Sequence, residues 1–586
     1  MLKHRNYLLI SFFFILIFFL FQVVVYDSAV STAVISNETA LAKLDKEIDT
    51  SVLGSETTPV NLVITGSTDD GLRIGRDLQA SYGYLKQPAL IYKTIDEVPE
   101  ENLNSYYSLS ISTNNVDEIG SIDTLLEYIY NGGHVIFTQL PSKRCANYSK
   151  IEKIIGIVSN GKEYEQKGFE IWEGLLIGGP YAAEKTKFMT SEIKLYGSCK
   201  TYGVCTDKEI LKNEDKNPVA WRTFYNNGGI FVVNAPFMKE KSGMGMLAAF
   251  ISDLHDDYLY PVINGKATIL NNFPYMTSKN DDLLKERYNR DMKDFTRDIM
   301  WSDLVSIMRD SSLAYTCYTA QADYGNSKEY NQSMLEFLSR ELNKNKGEIG
   351  YTLPKGSGAF AATMRRDSDF FARAFENYNI KSYSDKLEAS FEQNKAEILG
   401  NFPQINTVLS DLNSVDVAVI DKQRQIVTVP YTSTGFYSTD EERWSLANMV
   451  TALGLVTHEM DMDIPIMDKD MQTDGWRVAS VEVAKYLNWQ KWKYGWMPSY
   501  KMSDLSIKIR NYLYMNVDIT YGEEDIICKI QNFGKNGEAF FILRTDKRII
   551  NCTDCEIIKA RSDEPGLYII KALKGEFTIT TTHDDN

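Results

Sequence analysis

The segment Gly454–Asp463, GLVTHEMDMD, holds one of the five histidines of the chain, and three acidic residues follow it closely. His458 together with Glu459, Asp461 and Asp463 could bind a metal ion or act in acid–base catalysis. The acidic residues could also form a calcium-like site, although their spacing is not that of an EF-hand. A single histidine at a strand end is more often a hydrogen-bonded structural residue than a catalyst. The segment therefore predicts either a catalytic site or the remains of one.

The composition indicates a globular, acidic protein. The chain has 586 residues, 63 Lys and Arg against 79 Asp and Glu, a net charge of −16, and 44% hydrophobic residues. This length predicts several domains with sizeable cores. An acidic chain without a basic run argues against nucleic acid as a partner.

The N-terminus predicts a membrane segment. Lys3 and Arg5 precede an uncharged apolar run, Tyr7–Tyr26, which is long enough to span a hydrocarbon core of about 30 Å. We expect the positive flank in the cytoplasm and the rest of the chain outside it, so the protein would be a single-pass cell-membrane protein. The alternative is a cleaved signal peptide with small residues near Ser31–Ala33.

The alternation of strands and helices predicts an α/β protein with three folded domains. Residues 60–258 read as a doubly wound, flavodoxin-like or amidotransferase-like domain after a membrane segment over 1–26 and a linker over 27–59. Residues 259–503 repeat strand-then-helix units, which predict a closed or incomplete (β/α) barrel. Residues 504–586 alternate with period two and predict a small antiparallel β-sandwich.

The first domain shows no catalytic signature. Its first strand ends in TGSTDDG, Thr65–Gly71, which lacks both the dinucleotide fingerprint and the P-loop lysine. No cysteine occupies a strand-to-helix elbow, as a glutaminase nucleophile would. We therefore interpret this domain as a binding or scaffolding module.

The order of short motifs in the barrel region resembles a known family. Asn271 and Asn272 precede FP, Arg297 and Asp298 lie in RDIMW, Glu348 lies in GEIG, and LGLVTHEMD precedes a terminal sandwich. This arrangement resembles a family of bacterial envelope proteins with a polysaccharide-deacetylase-like barrel. It is similar to the deacetylase component of Pel-type exopolysaccharide systems.

The resemblance implies a metal site whose ligands are missing from this sequence. In such deacetylases an Asp and two His hold a divalent metal that activates water, while a carboxylate and a late His transfer protons. Here Asn271 and Asn272 stand where the Asp is expected. Tyr351 stands near the expected HxxxH motif, and no His lies between His255 and His458. The loss of both imidazoles removes most of the affinity for zinc.

The resemblance therefore implies a membrane-anchored, extracytoplasmic protein of exopolysaccharide biosynthesis or export. Its degenerate deacetylase-like barrel would bind polysaccharide or scaffold synthase or export components. The alternatives are an active polysaccharide deacetylase or glycoside hydrolase with a non-standard site, and a structural surface protein. No cofactor is predicted, and a divalent metal is left open. The catalytic candidates are His458, Asp461, Asp463 and Glu348; the substrate-binding candidates are Asn271, Asn272, Arg297, Asp298 and Tyr351; no residue is assigned as a metal ligand.

Overall fold

The structure is a computed structural model, and it describes residues 60–583 apart from several internal segments. The segments left out are 100–102, 173, 207–214, 239–242, 274–280, 320–336, 339, 343, 354–359, 375–377, 386–390, 412–418, 422–425, 463, 468–474, 534–537 and 561–565. The predicted membrane segment, the linker and Asp463 lie outside the described residues. Within the described part, no helix has the length and apolarity needed to cross a membrane.

The segment predicted as the first domain forms a nine-stranded mixed sheet. Its strands are β1 Asn61–Ile64, β2 Ala89–Tyr92, β3 Leu109–Ile111, β4 Val135–Phe137, β5 Ile157–Ile171, β6 Tyr181–Leu195, β7 Lys200–Cys205, β8 Pro218–Tyr225 and β9 Gly228–Val233. The order across the sheet is β2-β1-β3-β4-β9-β8-β7-β5-β6. The strands from β2 to β9 in this order pair in parallel, and the pairs beyond β9 are antiparallel.

The antiparallel half of this sheet differs from the prediction of a doubly wound parallel sheet. Residues 141–221 contain the long hairpin β5–β6 as well as β7 and the start of β8. The hairpin is stabilised by pairing between two strands of 15 residues each. Because this pairing is backbone hydrogen bonding between mostly polar strands, it leaves little hydrophobic pattern in the sequence.

Two helices of the first domain begin at residues whose side chains cap them. Thr68 accepts a hydrogen bond from Gly71 N at the first helix, and Ser121 accepts one from Thr124 N at the second. The helices are α1 Asp69–Tyr84, α2 Ile122–Tyr130, α3 Tyr148–Ile151 and α4 Met244–Leu254, with 3₁₀ turns at Ile95–Glu97, Leu103–Ser105, Val116–Glu118 and Pro236–Met238. Strand β10, Asp257–Val262, follows α4.

The second domain is a nearly closed barrel sheet of eight parallel strands with one antiparallel edge strand. The strands are β11 Gly265–Asn271, β12 Tyr315–Thr319, β13 Gly347–Thr352, β14 Ser382–Ser384, β15 Thr407–Asp411, β16 Val419–Asp421, β17 Ile426–Tyr431, β18 Ser433–Thr434 and β19 Leu455–Asp461. Their order is β16-β17-β15-β14-β13-β12-β11-β19-β18, and β16 is the antiparallel strand. The predicted (β/α) barrel is therefore confirmed as a nearly closed sheet of parallel strands.

Strands β17 and β18 bring the two ends of the barrel sheet together. β17 pairs with β15, and β18, which follows it directly, pairs with β19 at the other end of the sheet. Between them, Thr432 N donates to Thr457 O at 2.8 Å and Thr457 N donates to Thr432 Oγ1 at 2.9 Å. The chain segment from β17 to β18 therefore links both sides of the barrel.

Helices follow most barrel strands. They are α5 Asp281–Tyr288, α6 Met292–Phe295, a π-helical turn Thr296–Met300, α7 Trp301–Asp310, α8 Phe360–Ala374, α9 Phe391–Asn401, α10 Asp440–Leu453, α11 Ile464–Met467 and α12 Gly475–Lys493. The segment 281–310 is thus divided among α5, α6, the π turn and α7. Helix α10 shows how local sequence determines element bounds, because a capping box of Thr439 and Glu442 begins it and Gly454, at φ 58°, ends it.

The segment predicted as the third domain contributes to two four-stranded antiparallel sheets, and the antiparallel architecture predicted from the sequence is confirmed. Its strands are β20 Asn516–Tyr521, β21 Asp525–Gln531, β22 Ala539–Thr545, β23 Arg548–Thr553, β24 Cys555–Ala560, β25 Leu567–Ala572 and β26 Glu576–Thr582. The two sheets have the orders β10-β22-β25-β24 and β20-β21-β26-β23. Strand β10, far away in sequence, therefore completes one of them.

Residues 505–514 were expected to be the first strand of the sandwich, and this prediction was wrong. They belong to helix α13, Met502–Tyr514. Leu505, Ile509 and Tyr512 are buried at helical spacing and pack with the residues inside the barrel. The apolar residues of this segment therefore follow a helical period rather than a period of two.

Candidate functional site

The carboxyl ends of β11 and β19 lie side by side and bring two asparagines against two acids. The strands pair in parallel, with Asn271 opposite Asp461. Asn271 Nδ2 donates to Glu459 Oε1 at 2.8 Å, and Asn272 Nδ2 donates to Asp461 Oδ1 at 2.8 Å. We call these four residues the mouth cluster. Since ligands of (β/α) barrels bind at the carboxyl ends of the strands, this cluster lies where a ligand is expected.

The mouth cluster is graded in exposure. Glu459 is 1% exposed and Asn271 is 2% exposed, whereas Asp461 is partly exposed. Asn272, at φ 53°, adopts the left-handed conformation that asparagine tolerates and turns the chain out of β11. The Oδ1 atom of Asn271 is buried and accepts no hydrogen bond within the described part of the chain. An unpaired buried acceptor of this kind costs about 1–3 kcal/mol unless a ligand or water supplies a donor.

His458 lies on the opposite face of β19 from Glu459 and Asp461, because successive side chains of a strand alternate. Its Nδ1 lies 2.9 Å from Ser433 Oγ, which accepts a hydrogen bond from the hydroxyl of Tyr486 on α12 at 3.2 Å. Burial lowers the pKa of His458 to about 3, so the ring stays neutral at physiological pH. The structure therefore places His458 between the barrel and its outer helix, and not in the mouth cluster.

Glu348 points into the barrel but is held away from the mouth cluster. Its carboxylate accepts hydrogen bonds from Ser382 Oγ at 3.0 Å and from the hydroxyl of Ser503, near the start of α13. Helix α13 contacts the amino-terminal ends of the strands, where Met502 N donates to Thr316 Oγ1. Burial raises the pKa of Glu348, and the hydrogen bonds from the serines oppose this effect. The residue links the barrel interior to α13.

Tyr351 lies on the outer face of β13. Its hydroxyl donates to Asp367 Oδ2 on α8 at 3.1 Å, and its ring lies 4.4 Å from that of Phe402. This strand alternates in the same way as β19, so Tyr351 faces the helices while Glu348 faces the interior. The structure therefore does not bring Tyr351 to the mouth cluster.

Arg297 and Asp298 pair with each other on the surface of the π-helical turn. Arg297 Nε donates to Asp298 Oδ1 at 2.6 Å, and a guanidinium nitrogen donates to Asp298 Oδ2 at 3.0 Å. Arg297 also contacts Asp294 at 2.8 Å. The hydrogen bond from Arg297 lowers the pKa of the Asp298 carboxyl. These contacts form an ion-paired group on the helix surface.

A family model for uncharacterised proteins conserved in bacteria (DUF2194) matches residues 204–569. The chain belongs to this DUF2194 family. The match starts inside the first sheet and includes the whole barrel and most of the antiparallel strands that follow it. No curated protein matches the chain.

Three solved structures that resemble this DUF2194 chain each cover about a third of it. A β-galactosidase from Rahnella sp. R3 is 13% identical over 30% of this chain and 28% of its own, with a TM-score of 0.21. A putative ThuA-like protein from Bacteroides uniformis is 11% identical over 34% of this chain and 94% of its own, with a TM-score of 0.26. An exo-β-1,4-mannosidase from an Opitutaceae bacterium is 16% identical over 33% of each chain, with a TM-score of 0.23. The chain thus spans about a third of the length of these glycosidases, and the TM-scores are too low to support a functional argument.

The donor set of this DUF2194 chain does not fit the metal site that the resemblance implies. Among the described residues, no group of three or more His, Cys, Asp or Glu side chains is placed to hold a metal ion. Asn271, in place of the expected Asp, uses its amide to donate to Glu459. The nearby histidine, His458, points out of the barrel. We therefore derive no chemical step through a metal at this site.

Two residues at the barrel mouth were missed by sequence reasoning. Asp411 ends β15 and Tyr431 ends β17, and the hydroxyl of Tyr431 donates to Asp411 Oδ2 at 3.1 Å. Burial, and then the charge of Asp411, raise the pKa of Tyr431, and the charge of Glu459 contributes as well. Tyr431 thus lies at the same end of the barrel as the mouth cluster. The available signal was their position, because each is the last residue of a barrel strand.

Proposed function

We propose that the mouth cluster binds a segment of polysaccharide. The observation that carries this proposal is the pair of amide–carboxylate hydrogen bonds, Asn271 to Glu459 and Asn272 to Asp461, on adjacent strands. Amides and carboxylates side by side offer both donors and acceptors to sugar hydroxyl groups. The unpaired Oδ1 of Asn271 supports the proposal because a hydroxyl group would satisfy it.

We further propose that the protein is a membrane-anchored, extracytoplasmic component of exopolysaccharide biosynthesis or export of the Pel type. The apolar run Tyr7–Tyr26 supports the anchor, and the order of the domains supports the relation to deacetylases. The barrel would be a degenerate deacetylase domain that holds polymer beside the synthase or export components. The first domain would serve as a flavodoxin-like scaffolding module.

A carbohydrate-processing enzyme is the second candidate, and it is favoured by one observation. Glu459 and Asp461 lie on the same face of one strand, and Asp411 ends another strand at the same end of the barrel. Glycoside hydrolases require two carboxylates flanking the bond that is cleaved. A purely structural surface protein would need neither sugar binding nor these carboxylates.

The test compares the full-length chain with an Asp461→Asn variant. The probes are N-acetylated and partly de-N-acetylated hexosamine oligosaccharides, and binding is measured by calorimetry. Asp461 is partly exposed, so its replacement removes the charge with little risk to folding. We expect binding by the wild type and a loss of about tenfold in the variant. Asp298→Asn, which makes the same change on the surface, is the matched control.

The same samples distinguish the candidates. Release of acetate or reducing ends by the wild type, abolished in Asp461→Asn, would replace the binding role by catalysis. Absence of both binding and product would contradict the sugar hypotheses and leave the structural surface protein. Equal losses in Asp461→Asn and Asp298→Asn would show that the mouth cluster does not bind the polymer.

A further inference from the structure

A cavity of about 380 Å³ lies in the first domain, outside the barrel. It opens at the carboxyl ends of β3, β4 and β9, and the hairpin β5–β6 forms its other side. Ligands of open α/β sheets bind outside the carboxyl ends of the strands. The volume falls within the range of about 300–1,000 Å³ that is usual for small-molecule sites.

One wall of this cavity is rigid. Asn234, which follows β9, accepts a hydrogen bond from Ser191 N at 3.0 Å and donates to Ser191 O at 2.8 Å and Pro218 O at 3.0 Å. Thr190 Oγ1 donates to Asn234 O at 2.8 Å. These bonds hold strand β6 of the hairpin to the residue that follows β9. The cavity is therefore preformed, which lowers the entropic cost of binding.

Two amide side chains at the cavity each use one N–H donor within the protein. Gln139 Nε2 donates to Ser112 O at 2.7 Å, and Asn160 Nδ2 donates to the Tyr148 hydroxyl at 2.8 Å. The Oδ1 atom of Asn160 is buried and has no donor within the described residues. These two amides thus keep their carbonyl oxygens as acceptors for a ligand, beside one further N–H donor each.

The charges around the cavity balance. Glu163, on β5, contributes a carboxylate that forms no ion pair among the described residues, and this adds a third acceptor. Lys143 supplies a positive charge, but its ammonium donates to the backbone carbonyls of Asn160 and Gly161. An anionic ligand would meet Glu163, and a cationic ligand would meet Lys143. A ligand that donates several hydrogen bonds without a net charge fits best.

We propose that this cavity is a second carbohydrate site, which binds a neutral monosaccharide. Hydroxyl groups would donate to Gln139, Asn160 and Glu163. Leu140, Pro141 and Pro236 also line the cavity and would contact the C–H face of the ring. The inference does not depend on the mouth cluster, because no residue of the barrel lines this cavity.

The test uses the full-length chain with glucose, galactose and N-acetylglucosamine, and with glucose 6-phosphate and glucosamine as charged comparisons. Binding is measured by saturation-transfer NMR and calorimetry. We expect at least one neutral sugar to bind and both charged sugars to bind more weakly. Glu163→Gln should weaken binding about tenfold or more, and Gln139→Leu should also weaken it.

Glu165→Gln is the matched control, because Glu165 lies on the same strand, is exposed and pairs with Lys187 at 3.1 Å instead of lining the cavity. This control and the barrel variant Asp461→Asn should bind the sugar like the wild type. The proposal is wrong if no neutral sugar binds or if a charged sugar binds more tightly. It is also wrong if Glu163→Gln, with an unchanged melting temperature, binds like the control.

Discussion

Replacing Asn271 by aspartate restores the residue type that a metal-dependent deacetylase would have, yet we expect it to destabilise this barrel. The Asn271 amide donates to Glu459 at 2.8 Å, and the two residues are 2% and 1% exposed. Asn271→Asp would set two buried carboxylates against each other. Two unit charges about 4 Å apart repel by about 4 kcal/mol at an effective dielectric constant of about 20.

Protonation of one of the two carboxylates would remove this repulsion, and the free energy needed to protonate it is of similar size. Protonating a carboxyl group with an ordinary pKa of about 4.3 at pH 7 costs about 1.4 kcal/mol for each unit of difference, which amounts to roughly 4 kcal/mol. We therefore expect the free energy of unfolding to fall by about 4 kcal/mol at pH 7. The loss should diminish as the pH is lowered towards about 4, because one proton removes the repulsion and restores a donor.

The assay is urea unfolding of the full-length chain at pH 7 and pH 5, with and without zinc. Asn272→Asp is the matched control, since its partner Asp461 is partly exposed and water screens the repulsion there. In the control, we expect the free energy of unfolding to fall by less than half as much. Equal losses in the two variants would refute the argument from burial. Recovery of stability on adding zinc to Asn271→Asp would refute the conclusion that the remaining donors cannot hold a metal.

Three further predictions concern the residues that the structure places away from the mouth cluster. The pKa of His458 is lowered to about 3, so below pH 6.5 the folded state binds fewer protons than the unfolded state. The free energy of unfolding should therefore fall as the pH drops below about 6.5. In urea unfolding, His458→Asn should show a shallower dependence of stability on pH. Glu348→Ala should lower the free energy of unfolding, measured with urea, by about 2–4 kcal/mol, because Ser382 and Ser503 lose their hydrogen-bond acceptor. Glu348→Gln should lower it by less. Arg297→Ala should change stability by less than about 1 kcal/mol and leave oligosaccharide binding unchanged in calorimetry, because its ion pairs are exposed.

The barrel strands and helices were largely predictable because their signals are local. Apolar runs such as those of β11 and β19 end at polar residues, and a capping box and Gly454 mark the ends of α10. The alternation of strand residues also indicates that His458 cannot share a face with Glu459. The separation of His458 from Glu459 could therefore have been deduced from the sequence, because neighbouring residues of a strand face opposite sides.

The tertiary structure decided which strand ends meet. Asn271 and Glu459 are 188 residues apart, and only the parallel pairing of β11 with β19 brings their side chains within hydrogen-bonding distance. The same holds for β10, which joins a sheet formed mainly by residues after 538. Pairing between distant strands depends on backbone hydrogen bonds and on the closure of long loops, and neither leaves a mark on the residues themselves. The sequence by itself therefore determined most elements of the barrel and the polar residues at their ends, whereas the association of asparagines with acids at the barrel mouth arises only from the folded sheet.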